Sequence, residues 1–586
     1  MNREIDPDEI FIDSEMASHF DVHQFEGRLE KAISKPTLLA VGALFILIVI
    51  IFLGRLSLLQ IKNSSHYAAL SENNSLKSTP LFAARGVLYD RNGIELAWNA
   101  PGNMSSASTT TVPVAVKVTP LASGTVSAST SAQSYGDGSE YSVPTREYTP
   151  LPGLSHTIGY VQYPSKDSAG FYYKEDFTGL DGAEKYFDTA LQGQNGLQLV
   201  EVDAHNRVQS ANTVRPPKEG GGIHLSIDSR VESALYNSIR DLATRVGFSG
   251  GAGIIMDVYT GEVIAETSYP EYDSEVMSDK TDSSLIRSYL ADKNRPFLDR
   301  VSSGLYTPGS IIKPYVALGA LNEHIIDPLT IIQGVPYISI QNPYDKTKST
   351  LFRDWKEQGP EDMRKALQMS SDVYFYEIGG GYQGQKGLGI NLINKYTSMF
   401  GFGAAIKDSF FAGSAGTVPS PAWKAANFDG EAWYLGDTYH TAIGQYGFQV
   451  TPAQVVRAVA AIANGGTLIN PTIVSGGQGT VIGHVDIPAA DFQVVKEGMR
   501  LSAQSGVAKA LNVPYVTIAA KSGTAELGVS KANVNSWITG FWPYENPRYA
   551  FAVTMENGSV HNLVGAAAAF LETINWMNVN TPEYFK

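Results

Sequence analysis

The sequence of 586 residues contains no cysteine. That excludes a disulfide framework, a thiolate-held zinc or iron–sulfur site and a cysteine nucleophile. Charge is scarce too: 17% of residues are charged, against about 25% in an ordinary soluble chain. Positive charge is the rarer sign, with 44 Lys and Arg against 58 Asp and Glu and a net charge of −14. No basic surplus exists to displace counterions, so a nucleic-acid partner is excluded. Phosphate-loop and zinc-protease motifs are missing: no GxxxxGK[ST] and no HExxH occur, which weakens the commonest ATPase and zinc-protease readings. Gly379–Gly381 lacks the lysine and reads as turns, and His440 reads as structural. One G-x-S-x-G occurs, at Gly247–Gly251. A helical stretch precedes it and a strand follows, the reverse of a nucleophile elbow, so a helix-to-strand turn is expected.

What is present begins with an apolar run. Pro36 to Gly54 carries no charge and is bracketed by Lys35 and Arg55. Its 19 residues give about 28 Å of helix, one hydrocarbon core. The 35 residues ahead of it, and the lack of a small-residue cleavage site in Arg55-Leu56-Ser57-Leu58-Leu59, argue against a cleaved signal peptide. We expect a cytoplasmic tail over 1–35, an uncleaved single-pass anchor over 36–55, and the remainder outside the cytoplasmic (inner) membrane. Arg28, Lys31 and Lys35 supply a thin positive-inside bias.

Leu56 to Leu76 reads as a helix continuing from the anchor. Arg85 to Gly93 reads as strand then tight turn, because Asn-Gly favours a hairpin. Asn103 to Ser134 is dominated by Ser, Thr, Ala and Val, with one charge and no aromatic. A flexible linker and a pair of polar strands are both compatible with it. Order resumes at Arg146. A larger unit begins at about Gly222. It is expected to hold a strand over Ile223–Asp228, a helix over Ser229–Val246, two strands around a Thr-Gly turn in Gly253–Ser268, strands in Ser536–Phe541 and Tyr549–Glu556, and a helix over Ala566–Met577. Helices between two groups of strands suggest an α+β sheet domain with helices on its faces.

Three short elements carry chemistry. Ser310-Ile311-Ile312-Lys313 follows Pro308-Gly309 and precedes Pro314, which is tolerated only in a helix's opening turns. Ser310 is thus expected at a helix start, where free N–H groups favour an oxyanion, with Lys313 one turn on. A serine needs a base. Neutralising a free lysine at pH 7 costs about 4.6 kcal/mol, which burial and a second ammonium can each reduce. Lys521-Ser522-Gly523-Thr524 ends an apolar, β-prone run and supplies that second lysine, with two hydroxyls able to bind a carboxylate. Ser370-Ser371-Asp372 offers a proton relay and an anchor for Lys313.

These elements resemble the S-x-x-K, S-x-N and K-[TS]-G motifs of the penicillin-binding proteins and serine β-lactamases. Asn294–Arg300, Ala442–Gln445, Thr451–Gln454, Ala463–Gly466 and Asn535–Phe541 resemble the segments around them. Arg85–Gly93 resembles the membrane-proximal signature of class B members. Asp372, the Lys-Ser-Gly-Thr-Ala-Glu form and Trp433–Thr438 resemble the cell-elongation group, penicillin-binding protein 2. The resemblance implies an α+β transpeptidase fold, a central antiparallel sheet with helices on both faces, over 222–586. An extended β-rich pedestal over 56–221 would precede it. The Pro101–Arg146 stretch departs from the family, being shorter and richer in Ser and Thr. The implied activity is peptidoglycan D,D-transpeptidation through a serine acyl-enzyme, inhibited by β-lactams. In it Ser310 is nucleophile, Lys313 base, Ser370 and Asp372 relay and orienter, and Lys521, Ser522, Gly523 and Thr524 the substrate-carboxylate strand. The backbone N–H groups of Ser310 and Thr524 would form the oxyanion hole. No cofactor is implied. The implied partners are peptidoglycan stem peptides, a SEDS-family glycan polymerase and the elongation machinery. A division-specific transpeptidase and a β-lactamase or β-lactam sensor are the competing readings.

Overall fold

The computed structural model describes residues 35–65, 76–100, 143–168, 172–202, 208–342 and 345–586. The Asn103–Ser134 segment lies outside them. The chain divides into two units. The smaller comprises 1–79 and 199–212, the larger 80–198 and 213–586.

In the smaller unit the apolar run forms the helix Lys35–Ser57, continued by one π-helical turn, Leu58–Lys62. None of its residues is buried against protein, and it is long and apolar enough to cross a membrane.

The larger unit is built on a five-stranded sheet: β1 (Gly250–Asp257), β2 (Val263–Tyr269), β3 (Ala519–Leu527), β4 (Asn533–Trp542) and β5 (Tyr549–Ser559). The order is β2-β1-β5-β4-β3, with every neighbour antiparallel. Its strands are almost continuously apolar because both faces are covered. Alternate residues go to opposite cores. Ile254, Phe541, Ala550 and Ala552 join one, Ile255, Trp542, Phe551 and Val553 the other. The second core is closed by helices α1 (Ser229–Val246) and α5 (Ala566–Asn580), whose Phe570 stacks on Phe551 at 3.8 Å. Between them in sequence come α2 (Lys313–Asn322), α3 (Asp372–Gly380) and α4 (Ala489–Ser505). Residues of α2, α3 and α4 enter the first core, together with the wholly buried helix Pro452–Ala463.

Helix α1 has the expected bounds. The strand ahead of it is shorter than expected, Ile223–His224 only. The chain leaves the strand early because Asp228 is the helix N-cap, accepting from the Arg230 N–H at 3.1 Å. Gly247 ends α1 in the left-handed conformation and β1 starts at Gly250, so the G-x-S-x-G is a helix-to-strand turn. Gly379 and Gly380 are not turn residues. They close helix α3, where an added Cβ would lie 2.6 Å from Ala442 Cβ and 2.4 Å from the Tyr439 ring.

The class B signature forms a hairpin, Leu88–Tyr89 with Glu95–Ala100, joined by Thr145–Tyr148. The Asp90 carboxylate accepts from Asn92 and Ile94 N–H within the turn. It also accepts from the Ser229 hydroxyl at 2.8 Å, tying the hairpin to the start of α1. Glu184 lies between the buried guanidinium groups of Arg85 (2.5 Å) and Arg146 (2.7 Å). Another buried group joins Glu232 of α1 and Glu266 of β2, which share the Thr157 hydroxyl at 2.6 and 3.0 Å. Burial and the neighbouring carboxyl raise Glu232 well above the usual range. Burial and the charge of Asp299 do the same to Glu266.

Candidate active site

The turn carrying Ser310 is held from several sides. Gly309–Ile312 forms a 3-10 turn that runs into α2. With three residues per turn, positions 310 and 313 eclipse, which stacks Lys313 under Ser310 more closely than an α-helix would. Pro314 sits in the first turn of α2, where its missing N–H costs nothing. Ahead of the serine, the Trp537 indole of β4 donates to the Thr307 carbonyl at 3.1 Å. The Gly309 N–H donates to the Gly444 carbonyl at 2.9 Å. Strand β3 passes so near that a Cβ on Gly309 would lie 3.0 Å from the Thr524 carbonyl oxygen. One on Gly523 would lie 2.7 Å from the Pro308 oxygen. Glycine is required at both contacts.

The two lysines converge behind this turn, and both are completely buried. Lys313 Nζ donates to Asp372 Oδ1 at 2.6 Å and to the Ser370 carbonyl at 2.7 Å. It lies 3.5 Å from Ser370 Oγ. It also sits over the Phe375 ring at 5.4 Å. Lys521 Nζ donates to Ser370 Oγ at 2.8 Å and to the Ser522 carbonyl at 2.7 Å. Ser370 is therefore the meeting point. It caps the helix Met363–Met369 with φ +59°, a left-handed conformation costly for a non-glycine residue.

The expected second lysine is present, as Lys521. Burial, and then the charge of Lys313, push Lys521 well below the usual lysine range. Among the described residues Lys521 has no ion-pair partner, whereas Lys313 has Asp372.

The structure thus brings Lys313, Ser370, Asp372 and Lys521 into one hydrogen-bonded cluster beside the Ser310 turn. Ser310 is half-buried, with its turn against β3. Ser522 and Thr524 do not join the cluster. The strand's period of two turns them away from the side of Lys521 and Gly523, leaving Ser522 half-buried and Thr524 exposed. His440 packs its ring near Phe352 at 5.4 Å and takes no part.

Two carboxyls that the motifs did not flag stand behind Asp372. Asp354 accepts from the Asp372 N–H at 2.8 Å, and burial raises it above the ordinary aspartate range. Glu361 is buried and pushed up to about 7 by that burial. Both follow a hairpin, Tyr337–Gln341 with Ser349–Arg353, that carries no motif. The one sequence signal for Asp354 was an acid beside an aromatic in a polar stretch. A polar cavity of about 600 Å³, lined by residues that include Phe248, Arg295 and Glu556, contains none of the cluster. No group of three or more His, Asp or Glu residues suited to a metal occurs among the described residues.

Comparison with known proteins identifies the family. The penicillin binding protein transpeptidase domain matches residues 251–574, and the penicillin-binding protein dimerisation domain matches 139–225. The peptidoglycan D,D-transpeptidase MrdA of Salmonella typhimurium is 30% identical, over 87% of this chain and 90% of its own. The crystal structure of Pseudomonas aeruginosa PBP2, in complex with WCK 5153, superposes with a TM-score of 0.65 at 27% identity. It covers 87% of this chain and 98% of that one. Helicobacter pylori PBP2, solved in complex with MreC, gives 0.65 at 25% identity over 86% and 99%. The chain therefore belongs to the penicillin-binding protein transpeptidases, in the group of the MrdA and PBP2 enzymes.

Proposed function

We propose that this enzyme cross-links peptidoglycan stem peptides during cell elongation, with Ser310 as the acylated residue. The observation that carries the reading is the convergence of two buried lysine amines on Ser370 beside the Ser310 turn. Lys313 makes two short donor bonds, to Asp372 and to the Ser370 carbonyl. In the neutral form that the reaction requires, these would use both hydrogens of the amine and leave its lone pair for the serine proton. Ser310 Oγ attacks the penultimate D-alanine carbonyl, forming the C–O bond as its proton passes to Lys313. The N–H groups of Ser310 and Thr524 stabilise the oxyanion. Collapse breaks the C–N bond to the terminal D-alanine. Its nitrogen takes the Ser370 hydroxyl proton, which Ser370 regains from a lysine. An acceptor amine from a second strand then attacks the ester carbonyl, giving up a proton to Lys313 as the C–N bond forms, and the C–O bond to Ser310 breaks as Lys313 passes that proton to Oγ. The Ser522 and Thr524 hydroxyls, on the more open face of β3, bond the stem carboxylate, Lys521 supplies positive charge to it from the buried face, and Asp372 orients Lys313.

The likeness to MrdA over nearly its whole length, and to two PBP2 structures, supports elongation over division. The apolar helix anchors the chain in the inner membrane, with the transpeptidase domain on the far side. A SEDS-family glycan polymerase and an MreC-type scaffold are the proposed partners. The assignment is tested with a fluorescent penicillin. It should label the wild type and not Ser310→Ala, with the adduct on the peptide containing Ser310. An adduct on Ser370 or Ser522 would overturn it.

A further inference from the structure

The Ser370 turn holds an unfavourable backbone conformation and presents three acceptors to two lysines. Something must keep it in place. On its C-terminal side, a single oxygen of Asp354, Oδ2, accepts from the Ser371 hydroxyl (2.9 Å), the Asp372 N–H (2.8 Å) and the Val373 N–H (3.0 Å). These are the N-cap and the first two residues of α3, the groups that a helix start leaves without intrahelical partners. On the N-terminal side, the Trp355 indole N–H donates to the carbonyl of Met369 at 3.1 Å. Adjacent residues of one loop therefore grip the chain immediately before and immediately after Ser370. Trp355 is otherwise 55% exposed, an unusual position for a large aromatic unless its polar end is needed.

We propose that Asp354 and Trp355 are positioning residues of the transpeptidase centre, a clamp that fixes the Ser370 turn so that both lysines meet it. The proposal rests on the reading of Ser310 as nucleophile. Neither residue touches substrate. Asp354 acts by the position of one acceptor oxygen and Trp355 by one N–H. Releasing either side lets φ of residue 370 relax toward the commoner regions. Lys313 then loses its carbonyl acceptor and Lys521 its hydroxyl, while the fold, set by the two cores, remains.

The experiment separates position from charge. In Asp354→Asn the amide oxygen can take the place of Oδ2 as acceptor without the negative charge, while its NH2 replaces the Oδ1 that accepts from the exposed Trp355 backbone N–H at 2.8 Å. Asp354→Glu keeps the charge but moves the oxygens by a methylene. Trp355→Phe keeps the ring and removes the N–H. Acylation of the detergent-solubilised full chain by a fluorescent penicillin is followed against drug concentration, with thermal midpoints as the control for folding. The wild type must label at Ser310, which tests the underlying reading separately. Asp354→Asn is expected within threefold of the wild type. Asp354→Glu should acylate at least tenfold slower and Trp355→Phe three- to tenfold slower. Both losses should lie in the acylation step and not in the affinity for the drug. The clamp is overturned if Glu is tolerated and Asn is not, which would make charge the operative property. It is equally overturned if Asn and Glu lose the same activity, or if all three variants acylate within threefold of the wild type.

Discussion

The Lys521 amine nitrogen lies 2.8 Å from the Ser370 hydroxyl oxygen and forms no ion pair among the described residues. Burial and the Lys313 charge favour the neutral amine there. A bound stem or penicillin carboxylate would reverse that preference. Above its depressed value and below the ordinary ~10.4, the free site holds a neutral amine and the occupied site an ammonium. Binding then takes up a proton, and affinity falls as pH rises through that window. Calorimetric titration of Ser310→Ala with a penicillin at pH values below the ordinary lysine range, in buffers of different ionisation heat, should show net proton uptake. Heats independent of the buffer would remove Lys521 from carboxylate binding.

Gly523→Ala should slow acylation without unfolding the protein. The added methyl would lie 2.7 Å from the Pro308 oxygen and 3.0 Å from Ile311 Cγ2. Overpacking of this kind costs about 1–3 kcal/mol. Here it separates β3 from the nucleophile's turn. A rate at least tenfold lower is expected in a labelling time course. A rate within twofold of the wild type would show that the turn can yield.

The Glu232–Glu266 pair makes a prediction about pH. Both carboxyls are raised, so the folded state retains protons that the unfolded chain releases above about 4.3. Their contribution to stability is therefore fully present below that value and is lost as pH rises toward the folded values. Glu266→Gln keeps a donor and an acceptor and cannot ionise. Its thermal midpoint should exceed the wild type's by more at pH 8 than at pH 5. A gap that shrinks with rising pH would contradict the assignment.

The penicilloyl enzyme should persist. Both lysines of the cluster are buried and hydrogen bonded, and Asp372 is held by Lys313. The acceptor amine arrives from a second strand, which a bound drug blocks, so only poorly placed water remains. A turnover five decades below an enzyme's typical ~10 per second needs only about 7 kcal/mol of missing activation. Pulse labelling with a fluorescent penicillin and a chase with unlabelled drug should show loss over minutes to hours. Complete loss within a second, with steady hydrolysis, would make this a β-lactamase.

Periodicity made helix α1 and the pairs β1–β2 and β4–β5 legible in the sequence, because each has an apolar pattern that matches its burial. The motifs also marked Lys313, Ser370, Asp372 and Lys521, which the structure brings into one cluster. Other features depend on partners remote in sequence. Gly379 and Gly380 looked like turn residues, since nothing local reveals that Tyr439 and Ala442 press on that helix. Asp354 carries only a weak local signal, because its contacts come from reaching the start of a different element. The left-handed φ of Ser370 has no sequence signal at a serine flanked by Met369 and Ser371.

Strand β3, which carries Lys521 and Thr524, is the last strand on its side of the sheet. An outermost strand has a row of amides without strand partners, and any extended chain can pair with it, including a second copy of the same protein. Past Thr524 that rim bears Glu526, which forms an ion pair with Lys531 at 2.6 Å and is solvent-exposed. Charge at this point discourages sheet-to-sheet stacking while leaving the rim open to a peptide. Replacing Glu526 by an apolar residue would therefore register first in the colloidal behaviour of the purified protein, as self-association, before any change in its chemistry.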